Sequence, residues 1–184
     1  MTLTELAKKY RCDKFFNHSY METYERILAR RNVTRLLEIG IGYRELMEPF
    51  VPYYVHGASL LMWSRYWPEA DIFACDIRED TLINDGRIKS VVCDQSSVTS
   101  LTEMAFRFTE ELTKPFDVVI DDGSHDFEHQ KLTAHTLLHY LRQGGVYIIE
   151  DTYQDKGAEL AAMFGGVLIV GNKRPDDCLV VIHR

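Results

Sequence analysis

The feature of this sequence that most constrains its fold is a regular alternation of short apolar runs with longer amphipathic segments. The apolar runs are rich in Val and Ile and are bounded by Gly, Asp or Asn, as β-strands are. Segments with helical periodicity separate most of them. Strands that alternate with helices favour βαβ units and a mainly parallel sheet. The sequence therefore predicts an α/β protein with helices on both faces of its sheet.

Individual strands and helices can be placed on the chain. The predicted strands are RLLEI from Arg35, DIFAC from Asp71, SVVC from Ser90, DVVI from Asp117, VYIIE from Val146, VLIV from Val167 and LVVI from Leu179. The predicted helices are Tyr20 to Arg31, Ser59 to Tyr66, Val98 to Leu112, Phe127 to Arg142 and Gln154 to Met163. Only GNKRPDD joins the last two strands, which is too short for a crossover helix. These two strands must pair as an antiparallel hairpin at the end of a seven-stranded sheet.

Size and charge limit the classes of function. The 184 residues, 46% hydrophobic and 27% charged, predict a single globular domain over residues 1–184. The net charge of −7 argues against binding to nucleic acid or to an anionic membrane surface. A small-molecule partner fits this composition better.

The cysteines and the apolar segments indicate the compartment. The widely spaced cysteines match no metal or disulfide pattern and are predicted to be buried thiols: Cys12, Cys75, Cys93 and Cys178. No signal segment or membrane-spanning stretch is found, so we expect a cytoplasmic protein. We expect the aromatic loop around Tyr53 and Tyr54 to be exposed, as a lid or as a subunit contact, which leaves a homo-oligomer open.

Open α/β sheets bind ligands beyond the carboxyl ends of their strands, so the residues that follow each strand are candidates. The first strand ends in LEIGIG, where Gly40 and Gly42 allow a ligand to approach the backbone closely. Glu38 in the same run could accept a hydrogen bond or pair with a positive charge. A dinucleotide fingerprint would need a third glycine where Glu45 stands. A plain strand-to-loop turn remains an alternative for the glycines.

The next two strands also end in polar residues. Asp76 is placed to accept the ribose hydroxyls of an adenosine-containing cofactor. Asp94, Gln95 and Ser96 follow the third strand, where an adenine amino group could be bound, although a helix N-cap explains Asp94 or Ser96 equally well. The segment 43–57 is predicted to be an inserted loop that could close over the ligand.

Acidic residues after the fourth and fifth strands give the strongest local signal, in VVIDDGSHDFEHQ and VYIIEDT. Asp122, Glu150 and Asp151 would converge if these strands are neighbours about 4.8 Å apart. A cation would relieve their repulsion, and oxygen ligands favour magnesium, with manganese or calcium as alternatives.

His125 follows Asp122 by three residues and could act as a general base, because its ordinary pKa is about 6.5. Other interpretations of this segment remain open. His125 could cap the following helix, as could Asp151 with Thr152, and Asp121 could serve the Asp-Gly turn.

A different class of enzyme is also consistent with this segment. The run HDFEH, from His125 to His129, matches the H-x-x-E-H pattern of zinc peptidases. His135 and His139 repeat the spacing of four residues. Because short patterns match by chance, we treat the peptidase as a remote alternative.

Taken together, the motifs resemble those of a known family. LEIGIG, GASLLMW, FACDI, CDQS, VIDDGSH and GGVYIIEDT, with an early DK and HSYMETYE segment, are similar to the macrocin and mycinamicin sugar O-methyltransferases. These are metal-dependent class I enzymes with a Rossmann-like fold, and cephalosporin hydroxylase-like proteins share much of the pattern. Members that act on macrolides are longer than this chain, so the resemblance does not identify the acceptor.

The resemblance implies roles for individual residues. Asp122, Glu150 and Asp151 would hold magnesium, or manganese, and His125 would act as general base. The residues predicted to bind S-adenosylmethionine are Glu38, Gly40, Gly42, Ser59, Asp76, Ile77, Asp94, Gln95, Ser96 and Asp121.

The sequence therefore predicts an S-adenosylmethionine-dependent, metal-assisted O-methyltransferase acting on a hydroxyl of a sugar or small natural product. The sulfonium methyl is already activated, and a metal-bound alcohol loses its proton more readily. An S-adenosylmethionine-binding scaffold or partner subunit without transfer activity is the alternative.

Overall fold

The computed structural model describes residues 1–110 and 112–184. The helices in the described residues are α1 (Leu3–Tyr10), α2 (Asp13–Phe16), α3 (Met21–Leu28), α4 (Arg44–Met47), α5 (Ala58–Tyr66), α6 (Val98–Phe108), α7 (Phe127–Leu137) and α8 (Gln154–Phe164). The strands are β1 (Arg35–Ile39), β2 (Asp71–Asp76), β3 (Ile88–Val92), β4 (Phe116–Asp121), β5 (Leu141–Ile149), β6 (Val167–Val170) and β7 (Cys178–His183).

All of these strands belong to one sheet with the order β3-β2-β1-β4-β5-β7-β6. The strands β3, β2, β1, β4 and β5 are parallel to one another, whereas β7 is antiparallel to both β5 and β6. The predicted fold class and the terminal hairpin are therefore confirmed. The chain order reverses between β1 and β4, which makes the carboxyl ends of these two strands the expected ligand-binding edge.

The sheet separates two apolar layers, because successive side chains of a strand point to opposite faces. Leu36 of β1 packs into one layer together with Trp63 of α5, beside helices α1 and α3. Leu37, the next residue, packs into the other layer with Tyr147 and the helices α6, α7 and α8. Both faces are thus covered, and the carboxyl edge of the sheet remains for a site.

The helices α1 and α2 were not predicted. A capping box begins α1, in which Thr2 Oγ1 accepts the Glu5 amide at 3.1 Å and Glu5 Oε2 accepts the Thr2 amide at 2.8 Å. Leu3 and Leu6 are buried against the core. This capping pattern could have predicted the start of α1 from the sequence. The helix α1 is followed directly by α2, at the edge of the sheet.

The predicted helix from Phe127 to Arg142 was too long. The α-helix ends at Leu137, a 3-10 turn follows, and β5 already begins at Leu141. Leu141 pairs with Phe116 of β4, and Arg142 forms an ion pair with Asp117 of the same strand. Pairing with β4 therefore extends the strand into residues whose local pattern suggested a helix.

Two other predicted helices are also shorter in the structure. The helix predicted over Tyr20 to Arg31 covers Met21–Leu28. The helix predicted over Val98 to Leu112 ends at Phe108, and Leu112 has a φ of 68°, which an α-helix cannot accommodate. Glu111, within that predicted range, lies outside the described residues.

The segment 43–57 is more ordered than the predicted loop. It contains α4, and Tyr54 is only 3% exposed, with its hydroxyl donating to the Ile41 carbonyl at 3.2 Å. The description of both tyrosines as exposed was wrong for Tyr54, whereas Tyr53 is 86% exposed. The hydrogen bond to Ile41 anchors the segment over the end of β1.

The cysteine prediction is confirmed, because Cys12, Cys75, Cys93 and Cys178 are free and buried. Within residues 1–110 and 112–184, no helix has the length and apolar character needed to cross a membrane.

The contact between α8 and the hairpin gives a test of this packing. A Cβ at Gly157 would overlap Thr152 Oγ1 and crowd Leu168. Although Ala is a better helix former than Gly, we expect Gly157→Ala to lower the free energy of unfolding by about 1–3 kcal/mol through overpacking. Urea unfolding measures this change.

A matched control is Ala162→Met, which enlarges an exposed residue of the same helix and should change stability by less than about 0.5 kcal/mol. A Gly157→Ala variant that is as stable as the wild type would contradict the packing described here.

Candidate metal and cofactor site

A cavity of about 670 Å³ opens at the carboxyl edge of the sheet, where β1, β2 and β4 end. Several of the predicted site residues line it: Gly40, Gly42, Ser59, Asp76, Ile77, Asp94, Gln95, Ser96, Asp122, His125 and Asp151. The other predicted residues, Glu38, Asp121 and Glu150, are fully buried outside this lining. The structure thus brings most of the predicted cofactor residues to one cavity and places three acids behind its wall.

Asp122, His125 and Asp151 form a group at the cavity wall that could hold a metal ion. Each offers one ligand atom, and these atoms lie within 4.8 Å of one another. His125 Nε2 is 3.3 Å from Asp122 Oδ1, and His125 Nδ1 is 3.7 Å from Asp151 Oδ2. Two carboxylates and an imidazole suit a divalent cation better than they suit an uncharged ligand.

The backbone around this group is unusual. His125 and Asp151 have φ values of 57° and 54°, in the left-handed region that non-glycine residues rarely adopt. Such conformations cluster at functional sites, where surrounding contacts enforce them. A Cβ at Gly40 would overlap the carbonyl of Asp122, so the glycine lets β1 and the end of β4 approach closely. This contact gives Gly40 a structural role beside its predicted one.

Gln95 clamps the loop that carries Asp122. Its Nε2 donates to Asp121 Oδ1 at 2.6 Å, and its Oε1 accepts the Ser124 amide at 2.8 Å. Burial raises the pKa of Asp121 to about 7, although the hydrogen bond from Gln95 opposes that rise. The Gln95 side chain is therefore engaged in holding the loop, and its predicted contact with an adenine stays a prediction.

The polar residues after β2 and β3 have defined orientations. Asp76 accepts the Ile41 amide at 2.9 Å and the Arg78 amide at 3.0 Å, one on each oxygen. Asp94 accepts the amide of Ser96 at 2.9 Å and its hydroxyl at 2.7 Å. The N-cap of α6 is Ser97. Neither Asp94 nor Ser96 is needed as the helix cap, which was the alternative explanation for them.

A residue that the sequence analysis did not assign, Lys14, lies among the buried acids. Its Nζ is 2.6 Å from Asp122 Oδ2, 2.9 Å from either carboxylate oxygen of Glu150 and 3.1 Å from Glu38 Oε1. The side chain has no solvent exposure. Burial opposes its charge, but the neighbouring carboxylates raise the pKa of Lys14 above its ordinary value, so it is an ammonium. The Lys14 ammonium therefore supplies part of the positive charge that was expected between the acids.

Glu150 and Glu38 are held further by aromatic donors. The Tyr24 hydroxyl donates to Glu150 Oε1, and Trp63 Nε1 donates to Glu38 Oε2 at 2.9 Å. Burial raises the pKa of Glu150 and that of Glu38, the latter to about 7, while Lys14 opposes both shifts. These carboxylates therefore belong to an internal network with Lys14.

Asp151 is oriented from the N-terminal segment. The Tyr20 hydroxyl donates to Asp151 Oδ1 at 2.6 Å, and His18 Nδ1 lies 3.4 Å from the same oxygen and 3.4 Å from Asp177. The second oxygen, Oδ2, faces His125. The helix α8 has Tyr153 as its N-cap, so Asp151 is not explained by helix capping.

His125 is held as a cation by its neighbours. Burial opposes its protonation, but the hydrogen bond with Asp122 and the charges of Asp122 and Asp151 raise the pKa of His125 to about 9. This value is higher than the ordinary value assumed from the sequence. Asp126, which accepts the amides of Glu128 and His129, is the N-cap of α7, so His125 is free of the capping role considered above.

The geometry does not favour the peptidase pattern. Glu128 pairs with Lys131 at 2.7 Å, and His129 Nδ1 is 2.9 Å from the Ser124 hydroxyl. The group of possible metal ligands that contains His125 consists otherwise of two carboxylates, those of Asp122 and Asp151, and does not include His129. His125 also precedes α7, so it does not share a helical face with His129 as the pattern requires.

The Gln95 clamp yields a prediction. Gln95→Leu removes the partners of Asp121 Oδ1 and of the Ser124 amide. We expect the free energy of unfolding to fall by about 1–3 kcal/mol, because Asp121 Oδ1 is buried and a buried polar group left unpaired costs about that much. Urea unfolding of the neighbouring variant Ser96→Ala, which loses only a hydrogen bond to Asp94, should differ from wild type by less than about 0.5 kcal/mol. Equal stabilities of the two variants would refute the clamp.

Comparisons with curated proteins place the chain beside O-methyltransferases. It is 37% identical over 154 residues to demethylmacrocin O-methyltransferase of Streptomyces fradiae, which covers 82% of the chain and 36% of that protein. It is 34% identical over 154 residues to mycinamicin VI 2''-O-methyltransferase of Micromonospora griseorubida, with the same two coverages. No protein-family model matches the chain.

Solved structures agree in fold. The MycE methyltransferase of the mycinamycin biosynthetic pathway, in complex with Mg, SAH and mycinamycin VI, superposes with a TM-score of 0.69 at 34% identity, covering 82% of the chain and 37% of that protein. The SAH-bound methyltransferase PaMTH1 of Podospora anserina, at 14% identity and a TM-score of 0.59, shows the shared fold over 99% of the chain and 87% of that protein.

The chain spans little more than a third of the length of these curated relatives. In sequence and in fold, it is a relative of the macrocin and mycinamicin sugar O-methyltransferases.

Proposed function

We propose that this protein transfers a methyl group from S-adenosylmethionine to a hydroxyl group of a sugar-bearing acceptor, with the help of a divalent metal ion. The observation that carries the proposal is the group of Asp122, His125 and Asp151 on the wall of a 670 Å³ cavity at the switch point of the sheet. The relatives are O-methyltransferases by name, and the MycE complex holds Mg and SAH.

The part of the cavity between β1, β2 and β3 suits the cofactor. Gly40 and Gly42, with φ values of 89° and 72°, let the backbone approach a bound molecule. The Asp76 carboxylate is fixed by two backbone amides and can accept ribose hydroxyls with its remaining lone pairs. Ile77 and Asp94 line the same wall and could contact the adenine. These residues bind and orient the cofactor.

The metal would be held by Asp122 and Asp151, and the donor set of carboxylate oxygens fits magnesium or manganese. Glu150 was predicted as a third ligand, and it would have to give up contacts with Lys14 and Tyr24 to take part. When bound, a divalent ion lowers the pKa of a coordinated hydroxyl. The charges of the two aspartates raise the pKa of His125, so a divalent ion that neutralised them would favour the neutral imidazole, which could accept the proton of the acceptor hydroxyl.

The orientation of these groups supports a single transfer geometry. Tyr20 fixes one oxygen of Asp151, and Lys14 fixes one oxygen of Asp122. The remaining oxygens face His125 at the cavity wall. A rigid arrangement of acceptor and methyl donor removes much of the entropic barrier to transfer.

Variants of the two aspartates test the metal role. Asp122→Asn and Asp151→Asn should each reduce metal-stimulated methyl transfer by about 100-fold or more, because even indirect partners of a metal contribute 10–100-fold. S-adenosylmethionine affinity, measured by calorimetry, should stay within about threefold of wild type, since neither carboxylate faces the ribose pocket. Asp155→Asn, at an exposed position in the first turn of α8, is the matched control. Wild-type turnover in both variants would exclude the metal role.

Removal of the metal and a screen of acceptors test the activity itself. Protein incubated with S-adenosylmethionine, Mg²⁺ and a panel of glycosylated acceptors should give products one methyl group heavier, detected by mass spectrometry. Excess EDTA should abolish the products, and Mg²⁺ should restore them. Cofactor binding without any methylated product would instead support the non-catalytic scaffold.

A further inference from the structure

Two partly exposed side chains on the cavity wall are used by neither the cofactor prediction nor the metal prediction. Phe50 belongs to the segment 43–57, and Arg174 belongs to the loop between β6 and β7. The guanidinium carbon of Arg174 lies 5.4 Å from the centre of the Phe50 ring. Phe50 is 49% exposed and the Arg174 side chain is 32% exposed. A molecule that enters the cavity can therefore contact both.

The loop that carries Arg174 is fixed by contacts with the N-terminal segment. Asp177 is fully buried and accepts the Lys173 amide at 2.9 Å and the Ser19 hydroxyl at 2.7 Å. Lys173 Nζ donates to the His18 carbonyl at 2.7 Å. The position of Arg174 is therefore set before any ligand binds, as binding sites require for specificity.

The residues around Phe50 are also anchored. Val51, the next residue, is fully buried. Arg11 Nε donates to the Pro52 carbonyl at 3.0 Å, which ties the segment to the end of α1. The Phe50 ring thus belongs to a fixed wall of the cavity.

Arg174 lies on the metal side of the cavity. The strand β7, which follows its loop, pairs with β5, and Asp151 follows β5. The Tyr20 hydroxyl, which donates to Asp151, lies 3.4 Å from the Asp176 carbonyl in this loop. The acceptor hydroxyl must approach the metal from this part of the cavity, opposite the residues that suit the cofactor.

The guanidinium has donors left for a ligand, while its charge is already balanced. Arg174 Nε and Nη2 pair with the two oxygens of Asp176 at 2.9 and 3.0 Å. Within residues 1–110 and 112–184, Arg174 Nη1, which carries two N–H donors, has no hydrogen-bond partner. The carboxylate of Asp176 would repel an anion at this place. An uncharged oxygen is therefore the better partner for Nη1.

Building on the proposed function, we propose that Phe50 and Arg174 form the subsite for the acceptor and that this subsite selects an uncharged sugar. The Phe50 ring packs against the carbon face of the sugar, as apolar walls do in ligand pockets. Arg174 Nη1 donates to a hydroxyl or ring oxygen of the sugar and fixes its orientation. Asp176 holds the guanidinium and excludes sugars that carry a carboxylate.

The test uses two probes that differ in charge, methyl β-D-glucoside and methyl β-D-glucuronide. Ligand-observed NMR titrations measure their dissociation constants with protein saturated with SAH and Mg²⁺. Wild type should bind the glucoside more tightly than the glucuronide. Arg174→Met should raise the dissociation constant of the glucoside on the order of tenfold, because a hydrogen bond from a charged donor is lost. Phe50→Leu should weaken the binding of both probes by similar factors, since the flat surface is lost.

The charge at Asp176 gives a readout that a merely structural role of Arg174 would not change. Asp176→Asn removes the repulsion and should raise the affinity for the glucuronide, relative to the glucoside, on the order of tenfold. The matched control is Arg44→Met, because Arg44 also pairs with a carboxylate, that of Glu48, but lies outside the cavity lining. It should change either dissociation constant by less than about twofold. SAH affinity should stay within about threefold of wild type in every variant, which shows that the cofactor pocket is intact.

The outcomes separate this proposal from the proposed function. Equal glucoside affinity of wild type and Arg174→Met would overturn the subsite, and so would a wild type that prefers the glucuronide or binds neither probe. Methyl transfer to glycosylated acceptors would keep the proposed function in place in each of these cases. Glucoside binding with the expected variant effects, but without transfer to any acceptor, would support the subsite and count against the proposed function.

Discussion

The ion contacts of Lys14 with Glu38, Asp122 and Glu150 are the interaction on which the organisation of this site depends. In this Rossmann-like sheet, acidic residues lie at the ends of several neighbouring strands, so negative charge is concentrated at one edge. Burial makes that charge unfavourable unless a cation lies among the acids. The ammonium requires α2 to lie against the carboxyl edge. The following segment then brings Tyr20 and Tyr24 onto Asp151 and Glu150.

Most of the fold could be predicted from periodicity. The Val- and Ile-rich runs placed the ends of the described strands to within about two residues, except for the start of β5, and the length of GNKRPDD alone required the antiparallel hairpin. The errors arose where tertiary pairing overrode local pattern. Arg142 continues a helical pattern but joins β5, because its neighbour Leu141 pairs with Phe116 of β4 and its own side chain forms an ion pair with Asp117. The amphipathic α1 was missed although Thr2 and Glu5 form a readable capping box.

The positions of site residues that directly follow paired strands could be predicted from the sequence. The positions that depend on contacts between distant side chains could not. Asp122 and Asp151 follow strands that pair, so their approach to each other followed from the sheet. Which acid of each pair faces inward depends on residues from other elements: Asp121 lies against Gln95 and Tyr147, and Glu150 lies against Tyr24. Lys14 belongs to the early DK segment of the resemblance, but its burial could not be predicted, because a lysine is ordinarily exposed and two of its carboxylate partners lie more than a hundred residues away.

The most direct measurement of this account is anomalous diffraction from crystals grown with Mn²⁺ and SAH. The account predicts a manganese peak at coordination distance from both Asp122 and Asp151, with Lys14 still in contact with Glu38 and Glu150. A map without a peak beside these aspartates would contradict the metal site.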